Sequence, residues 1–238
     1  MTDQTGEAPA ADIEYTLVLE ASTYQASVAL VSRTRVIAER EVATGRAEHD
    51  HLMPAVAAVL DEAGIGVRAL ARVVCGAGPG SFTSLRIAAA LGKGLASSPG
   101  GPGLASVPSL PLIVAAAAER LADGTYLASI DALRGERHAA LVTLERGGGA
   151  GRGDGVRITL AGEARRLPEN AMSEWAREAD AAMIGPGCTT EAWPAARGVL
   201  LLWNHVCDAD LESWEPDYGR LAEAEVRRAA VAAARAEG

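Results

Sequence analysis

From residue 15 the apolar and polar positions fall into short runs separated by turn residues. The run YTLVLE at 15–20 is almost wholly apolar and reads as a buried strand, and 26–31 and 35–41 complete a three-stranded meander. The period then changes. Residues 51–63 carry apolar side chains at helical spacing, with Pro54 tolerable only in the first turn. A buried strand at 72–76, a helix at 84–98 and a short strand at 104–107 follow, and PGGPG at 99–103 separates the last two. A helix over 109–121 opens a second series with strands at 125–130, 138–144 and 156–160. The Gly-rich tip RGGGAGRGDG, 146–155, joins the last two of these as a flexible loop. The pattern then predicts a helix at 168–179, a strand at 181–184, a helix at 189–196 and a strand at 199–202. An amphipathic helix at about 220–236 closes the chain, and the first twelve residues read as a disordered extension.

Both halves thus read β-β-β-α-β-α-β. An antiparallel meander followed by alternating helices and strands gives a mixed sheet covered by helices. Two such units make up the actin, hexokinase and Hsp70 architecture. The expected fold is therefore α/β, with two ribonuclease H-like lobes, each a mixed sheet with flanking helices. Residues 1–12 are the extension, 13–108 the first lobe and 109–238 the second, with its last helix free to pack back on the first.

Charge narrows the partners. The 238 residues hold 22 Lys plus Arg against 31 Asp plus Glu, a net −9. Such a chain should not grip nucleic acid by itself, because binding needs basic side chains that displace counterions from phosphates. No stretch reaches the roughly 18 consecutive apolar residues of a membrane span. The acidic start has no signal-peptide pattern, so the cytoplasm is the expected compartment. Cys75, Cys188 and Cys207 are odd in number and far apart, and fit neither a disulfide framework nor a zinc knuckle.

The strongest local signal is GAGPGSFTSLR, 76–86, between a strand and a helix. Its glycines permit positive φ, and successive N–H groups at a helix start can form an anion nest. It reads equally as a tight strand-to-helix turn with Ser81 or Thr83 capping the helix. No Lys-Ser/Thr follows the glycines, so it is not a Walker loop. Pro79 and Thr83 occupy the glycine places of a hydrolase elbow around Ser81.

The helices flanking this loop have too much apolar surface for one stripe. Residues 52–60 pass without a charge. The second helix has one apolar face with Ile87, Leu91 and Gly94 and another with Leu85, Ala89, Gly92 and Ala96. Either both helices are core, or their second faces bury against a partner. On the second reading the interface residues are Leu52, Val56, Val59, Leu60, Leu85, Ala89, Gly92 and Ala96, the small ones allowing close helix approach.

Other candidates carry less. His49 and His51 flank Asp50, but i and i+2 do not share a helix face and no third ligand is placed, so no metal is expected. Glu20 ends the first strand near any cleft, and Asp131, Arg134 and Glu136 crowd one turn. Gly185-Pro186-Gly187 follows a short strand as a turn able to line a cleft. HExxH, CxxC and a placeable Ser/His/Asp set are absent from the sequence.

The run GPGSFTSLRIAAALGKGLA, 78–96, resembles the GPGSFTG-L/V-R signature of the TsaB (YeaZ-like) family. These are bacterial tRNA threonylcarbamoyladenosine biosynthesis proteins of the actin-like ATPase superfamily. The signature residues are Gly78, Pro79, Gly80, Ser81, Phe82, Thr83 and Arg86, with Ser84 in place of the usual Gly. LVLEASTYQASVAL, 17–30, is similar to the family's opening hairpin, with Glu20-Ala21 for its Asp-Thr. HDHLMPAVAAVLDEAGI is similar to its first helix. SIDALRGERHAAL resembles its IDAR-GEVY strand pair, with His138 for Tyr, and EPDYGRLAEAEV its closing P-x-Y-x-R segment. The likeness covers about 17–228.

The resemblance implies a noncatalytic scaffold that forms a heterodimer with the paralogue TsaD. In that family TsaD carries the metal and nucleotide site and transfers threonylcarbamoyl to the adenosine beside the anticodon, and the ATPase TsaE joins the pair. It further implies no catalytic residue, metal or cofactor of the chain's own, with ATP, Mg and tRNA reached only through the complex. TsaD's His-x-x-x-His pair is missing: Met53 lies four residues after His49 and Ala55 four after His51. Alone, the exposed helix faces should be covered by a second copy, giving a homodimer. The rival readings are an actin-like small-molecule kinase or ATPase using Glu20 and Asp131, and a metal-dependent glycopeptidase, which lacks ligands here.

Overall fold

The protein's structure, a computed structural model, describes residues 14–43, 51–147 and 155–219. The expected N-terminal extension, His49, Asp50, most of the Gly-rich tip and the closing helix lie outside the described residues.

The first sheet opens with β1 (Tyr15–Glu20), β2 (Gln25–Val31) and β3 (Val36–Ala43). Helix α1 (Leu52–Glu62), β4 (Leu70–Gly76), α2 (Phe82–Ala96) and β5 (Gly103–Val107) follow. Then come α3 (Ser109–Ala117), β6 (Gly124–Asp131), β7 (Glu136–Arg146), β8 (Val156–Leu160), β9 (Arg165–Pro168), α4 (Met172–Glu178), β10 (Ala181–Ile184) and β11 (Cys207–Asp208). One six-stranded sheet has the order β11-β5-β4-β1-β2-β3, with β1, β4 and β5 parallel and the rest antiparallel. The other has the order β10-β6-β7-β8, and β9 pairs with β7 beyond the end of β8. Two mixed sheets with flanking helices are the expected two-lobe, actin-like α/β fold.

Burial explains the apolar runs. In β1, Leu17 and Leu19 face α1 and α2, while Val18 faces the other sheet, so the strand is apolar on both sides. Helix α3 is buried all round because it lies between the sheets. Its Leu112, Ile113 and Val114 meet Val74 and Val107 from one sheet and Ala128, Ile130 and Val142 from the other.

The second half departs from the expected order. No helix forms at 189–196, where Thr190 makes only an isolated bridge to Ile184. The apolar run at 199–202 is not a strand but part of a 3-10 helix, Ala196–Leu201, whose Ala196 and Val199 enter the core between the sheets. Gly198 sets this packing: a Cβ there would lie 3.1 Å from the Ala116 amide and the Leu112 carbonyl. Strands β9 and β11 were not predicted, being four and two residues long. Through β11 the chain returns to the first sheet, at β5.

Candidate functional site

The Gly-rich loop joins β4 to α2, and the structure favours the tight turn. The Ala77 amide donates to Val107 O at 2.7 Å, Gly78 to Ser109 Oγ at 3.1 Å and Ser81 to Ser22 O at 2.7 Å. Three amides of the supposed anion nest are thus already taken by the chain itself. Ser81 stands at the N-cap without a side-chain cap bond, and its hydroxyl instead meets Ser84 Oγ at 3.0 Å. The Gly78–Pro79 peptide is cis, and Gly78 has φ +84. A side chain at Gly78 would overlap the Asp217 carbonyl oxygen, and one at Gly80 the Ser22 backbone. Gly78 and Pro79 are buried, Phe82 is half-buried, and Thr83 and Arg86 are exposed.

Glu20 is fully buried beside this loop. It accepts the Ser22 amide hydrogen at 2.6 Å and the Ser109 hydroxyl at 2.9 Å, and a Cβ at Gly76 would overlap its carboxylate. Burial pushes the carboxyl above its ordinary 4.5, against the lowering effect of the Ser22 and Ser109 bonds. The neighbouring Cys75 thiol is pushed up to about 12 by burial and by Glu20.

Asp131, Arg134 and Glu136 do not converge. Asp131 is exposed and accepts the Leu133 amide hydrogen at 2.8 Å, while Glu136 pairs with Arg166 of β9. Leu133 and Arg134 both have positive φ in this exposed tip. Arg137, which sequence reasoning passed over, is buried. It donates to Ser129 Oγ at 3.1 Å and Pro186 O at 2.7 Å, and so holds the Gly185-Pro186-Gly187 turn against β6. Nothing in the run RGER distinguishes its buried arginine from its exposed one.

The described part of the closing P-x-Y-x-R segment, 216–219, reaches the same loop. Asp217 donates its amide hydrogen to Ala77 O at 2.7 Å, and the Tyr218 and Phe82 rings meet at 4.7 Å between centroids. Arg86 lies 5.3 Å over the Phe82 ring. Gly219 packs on the His138 imidazole of β7.

The helix faces require a correction. Leu52, Val56, Val59, Leu60, Leu85 and Ala89 are buried within the chain, the α1 set beneath its own sheet. Gly92 is buried with them, and a side chain there would overlap Cys75 Sγ. Ala96 is half-buried. All of them except Ala96 are thus buried inside the chain and belong to the lobe's own core. The outward faces carry Met53 and Ala57 on α1 and Ile87, Ala90 and Gly94 on α2, with Met53 50% and Ile87 36% exposed.

A cavity of about 130 Å³ lies elsewhere, between β2, the end of α3 and residues 191–197. Among the described residues no three His, Cys, Asp or Glu are grouped to hold a metal ion, and no helix is long and apolar enough to cross a membrane.

Residues 41–172 match the family model described as TsaD: tRNA N6-adenosine threonylcarbamoyltransferase. Over 131 residues the chain is 33% identical to the tRNA threonylcarbamoyladenosine biosynthesis protein TsaB of Bacillus subtilis, covering 55% of this chain and 56% of that protein. Over 130 residues it is 31% identical to the protein of the same description from Haemophilus influenzae, covering 55% and 54%. The chain thus spans about half the length of the curated relatives it matches. Among solved structures, an uncharacterized Pseudomonas aeruginosa protein with similarity to peptidase YEAZ has a TM-score of 0.70 at 27% identity, covering 87% of this chain and all of that one. YeaZ from Pseudomonas aeruginosa has a TM-score of 0.68 at 25% identity, covering 86% and 99%. With more than half its length inside the family model, and TsaB and YeaZ proteins as its relatives in sequence and in structure, the chain belongs to the TsaD family, among its TsaB (YeaZ-like) members.

Proposed function

We propose that the chain is a noncatalytic subunit in the making of threonylcarbamoyladenosine on tRNA, acting in the cytoplasm as the heterodimer partner of a TsaD subunit. The observation that carries this reading is the internal use of the polar groups around the Gly-rich loop. Glu20, the acid an actin-like kinase or ATPase would need, is buried and bonded to Ser22 and Ser109, and the loop amides are bonded to the chain's own atoms. Asp131, the second acid of that reading, lies at an exposed hairpin tip bonded to its own turn. The process itself is taken from the TsaB relatives.

TsaD would dock on the outward faces of α1 and α2, at Met53, Ala57, Ile87, Ala90 and Gly94. A stable interface there buries on the order of 1,600 Å² in total. In the absence of TsaD a second copy covers the same faces. TsaE, ATP, Mg and tRNA are met through the complex, consistent with a net charge of −9.

The test is co-purification with the TsaD of the same genome. The double variant Met53→Asp/Ile87→Asp should fail to pair while keeping the wild-type circular dichroism and melting behaviour, since both side chains already face solvent. Normal pairing by that folded variant would place the interface elsewhere. Threonylcarbamoyl transfer by the isolated chain would overturn the noncatalytic assignment.

A further inference from the structure

We propose that Glu215–Gly219 is a latch that fastens the Gly-rich loop of the first lobe to β7 of the second. Four of its five residues make polar or ring contacts, and the fifth is buried. Glu215 lies 3.8 Å from Lys93 Nζ and accepts the Tyr218 hydroxyl hydrogen at 2.7 Å. Pro216 is buried. Asp217 donates its amide hydrogen to Ala77 O, and its carboxylate accepts the Gly219 amide hydrogen at 2.7 Å, forming an Asx turn. The Tyr218 ring packs against that of Phe82 at a tilt of 55°.

The two ends of this chain of contacts lie on different lobes. Ala77, Gly78 and Phe82 belong to the loop after β4 and the start of α2, whereas His138 belongs to β7. At both contacts a glycine is needed. Gly78 (φ +84) meets the Asp217 carbonyl, and Gly219 (φ +67) meets the His138 ring, each so closely that a Cβ would overlap. A segment lying loosely on the surface has no need of glycine on both sides of it. The close approach shows that the latch is built into the loop and not merely draped over it. Its backbone lies directly against the Gly-rich turn, with the Asp217 amide on Ala77 O and the Asp217 carbonyl over Gly78.

The experiment exploits the separation of the two ends. Tyr218→Ala removes the ring contact with Phe82 of the first lobe and a bond within the segment itself, and Gly219→Val disrupts the contact with His138 of the second. If the segment is one latch, each variant should be felt at the far end. Tyr218→Ala should shift the His138 Cε1–H resonance while leaving that of His205 in place. Gly219→Val should speed amide exchange at residues 77–81 by about tenfold or more, with β6 amides changed by less than about twofold. Tyr218→Phe, which keeps the contact between the rings, should behave as wild type at His138. Should Gly219→Val fail to fold, the His138 shift in Tyr218→Ala decides alone. An unmoved His138 resonance in Tyr218→Ala, unchanged loop exchange in folded Gly219→Val, or exchange raised equally through both sheets would each overturn the latch.

Discussion

Gly92 has no room for a side chain: a Cβ would overlap Cys75 Sγ, with Leu104 Cδ1 at 3.5 Å and Val73 Cγ1 at 3.6 Å. Gly92→Leu should therefore cost about 1–3 kcal/mol by overpacking, outweighing the gain in helix propensity of about 1 kcal/mol. A urea titration checks this, and a stabilised variant would contradict it. The face with Leu85, Ala89 and Gly92 and the face with Ile87 and Gly94 look equally apolar in the sequence, so the sequence cannot say which one the sheet takes. Glu20 was legible as the acid ending a strand, but its burial depends on Ser109, 89 residues away. Burial raises its carboxyl above the ordinary 4.5 in the fold, so at pH just above 4.5 the folded state binds more protons than the unfolded chain. The stability this supplies is complete below 4.5 and is lost as pH rises through the raised folded value. Glu20→Gln removes that dependence at the cost of a constant offset from one lost acceptor. Its stability relative to wild type should rise between about pH 4 and about pH 7, and urea midpoints at both measure it. Cysteine labelling provides a simpler check. Exposed Cys207 should alkylate in the native protein, and Cys75, buried and with its thiol near 12, only on unfolding.

At the scale of elements, long apolar runs were readable and short ones were not. All three strands of the opening meander, β4 and the three main helices follow from period and punctuation, because each buries enough of its length to impose a pattern. Strands β9 and β11 take their structure from β7 and β5 and leave no periodic trace of their own. The run at 199–202 has strand composition yet turns, because Gly198 allows it to abut the α3 backbone. One arginine fixes the far end of α3. Arg146 of β7 pairs with Asp123 and donates to the Ala118 and Leu121 carbonyls that follow the helix, Leu121 at 2.8 Å. Arg146→Lys keeps the charge but cannot reach all three acceptors with a planar fork. A loss of about 1–2 kcal/mol in thermal or urea unfolding is expected, and none at all would mean the carbonyls are satisfied otherwise.

For the molecule as a whole, the largest core lies between the sheets and takes residues from both, with α3 and the 196–201 turn at its centre. The two-sheet architecture was legible from the repeated order of elements, whereas this shared core was not, because it depends on which face each strand turns inward. Such a core should unfold in one transition, seen equally by far-ultraviolet circular dichroism and tryptophan fluorescence; two resolved steps would contradict it. The return of β11 to β5 also bears on how the chain is made. The first sheet acquires its sixth strand roughly 100 residues after β5, about 5–20 s later at ordinary rates of synthesis. Through that interval the nascent first half holds an open strand edge and the bare side of Val18, Val74 and Val107. A chain arrested after Val107 should therefore bare this apolar side and an unpaired β5 edge, and aggregate more readily than the whole chain.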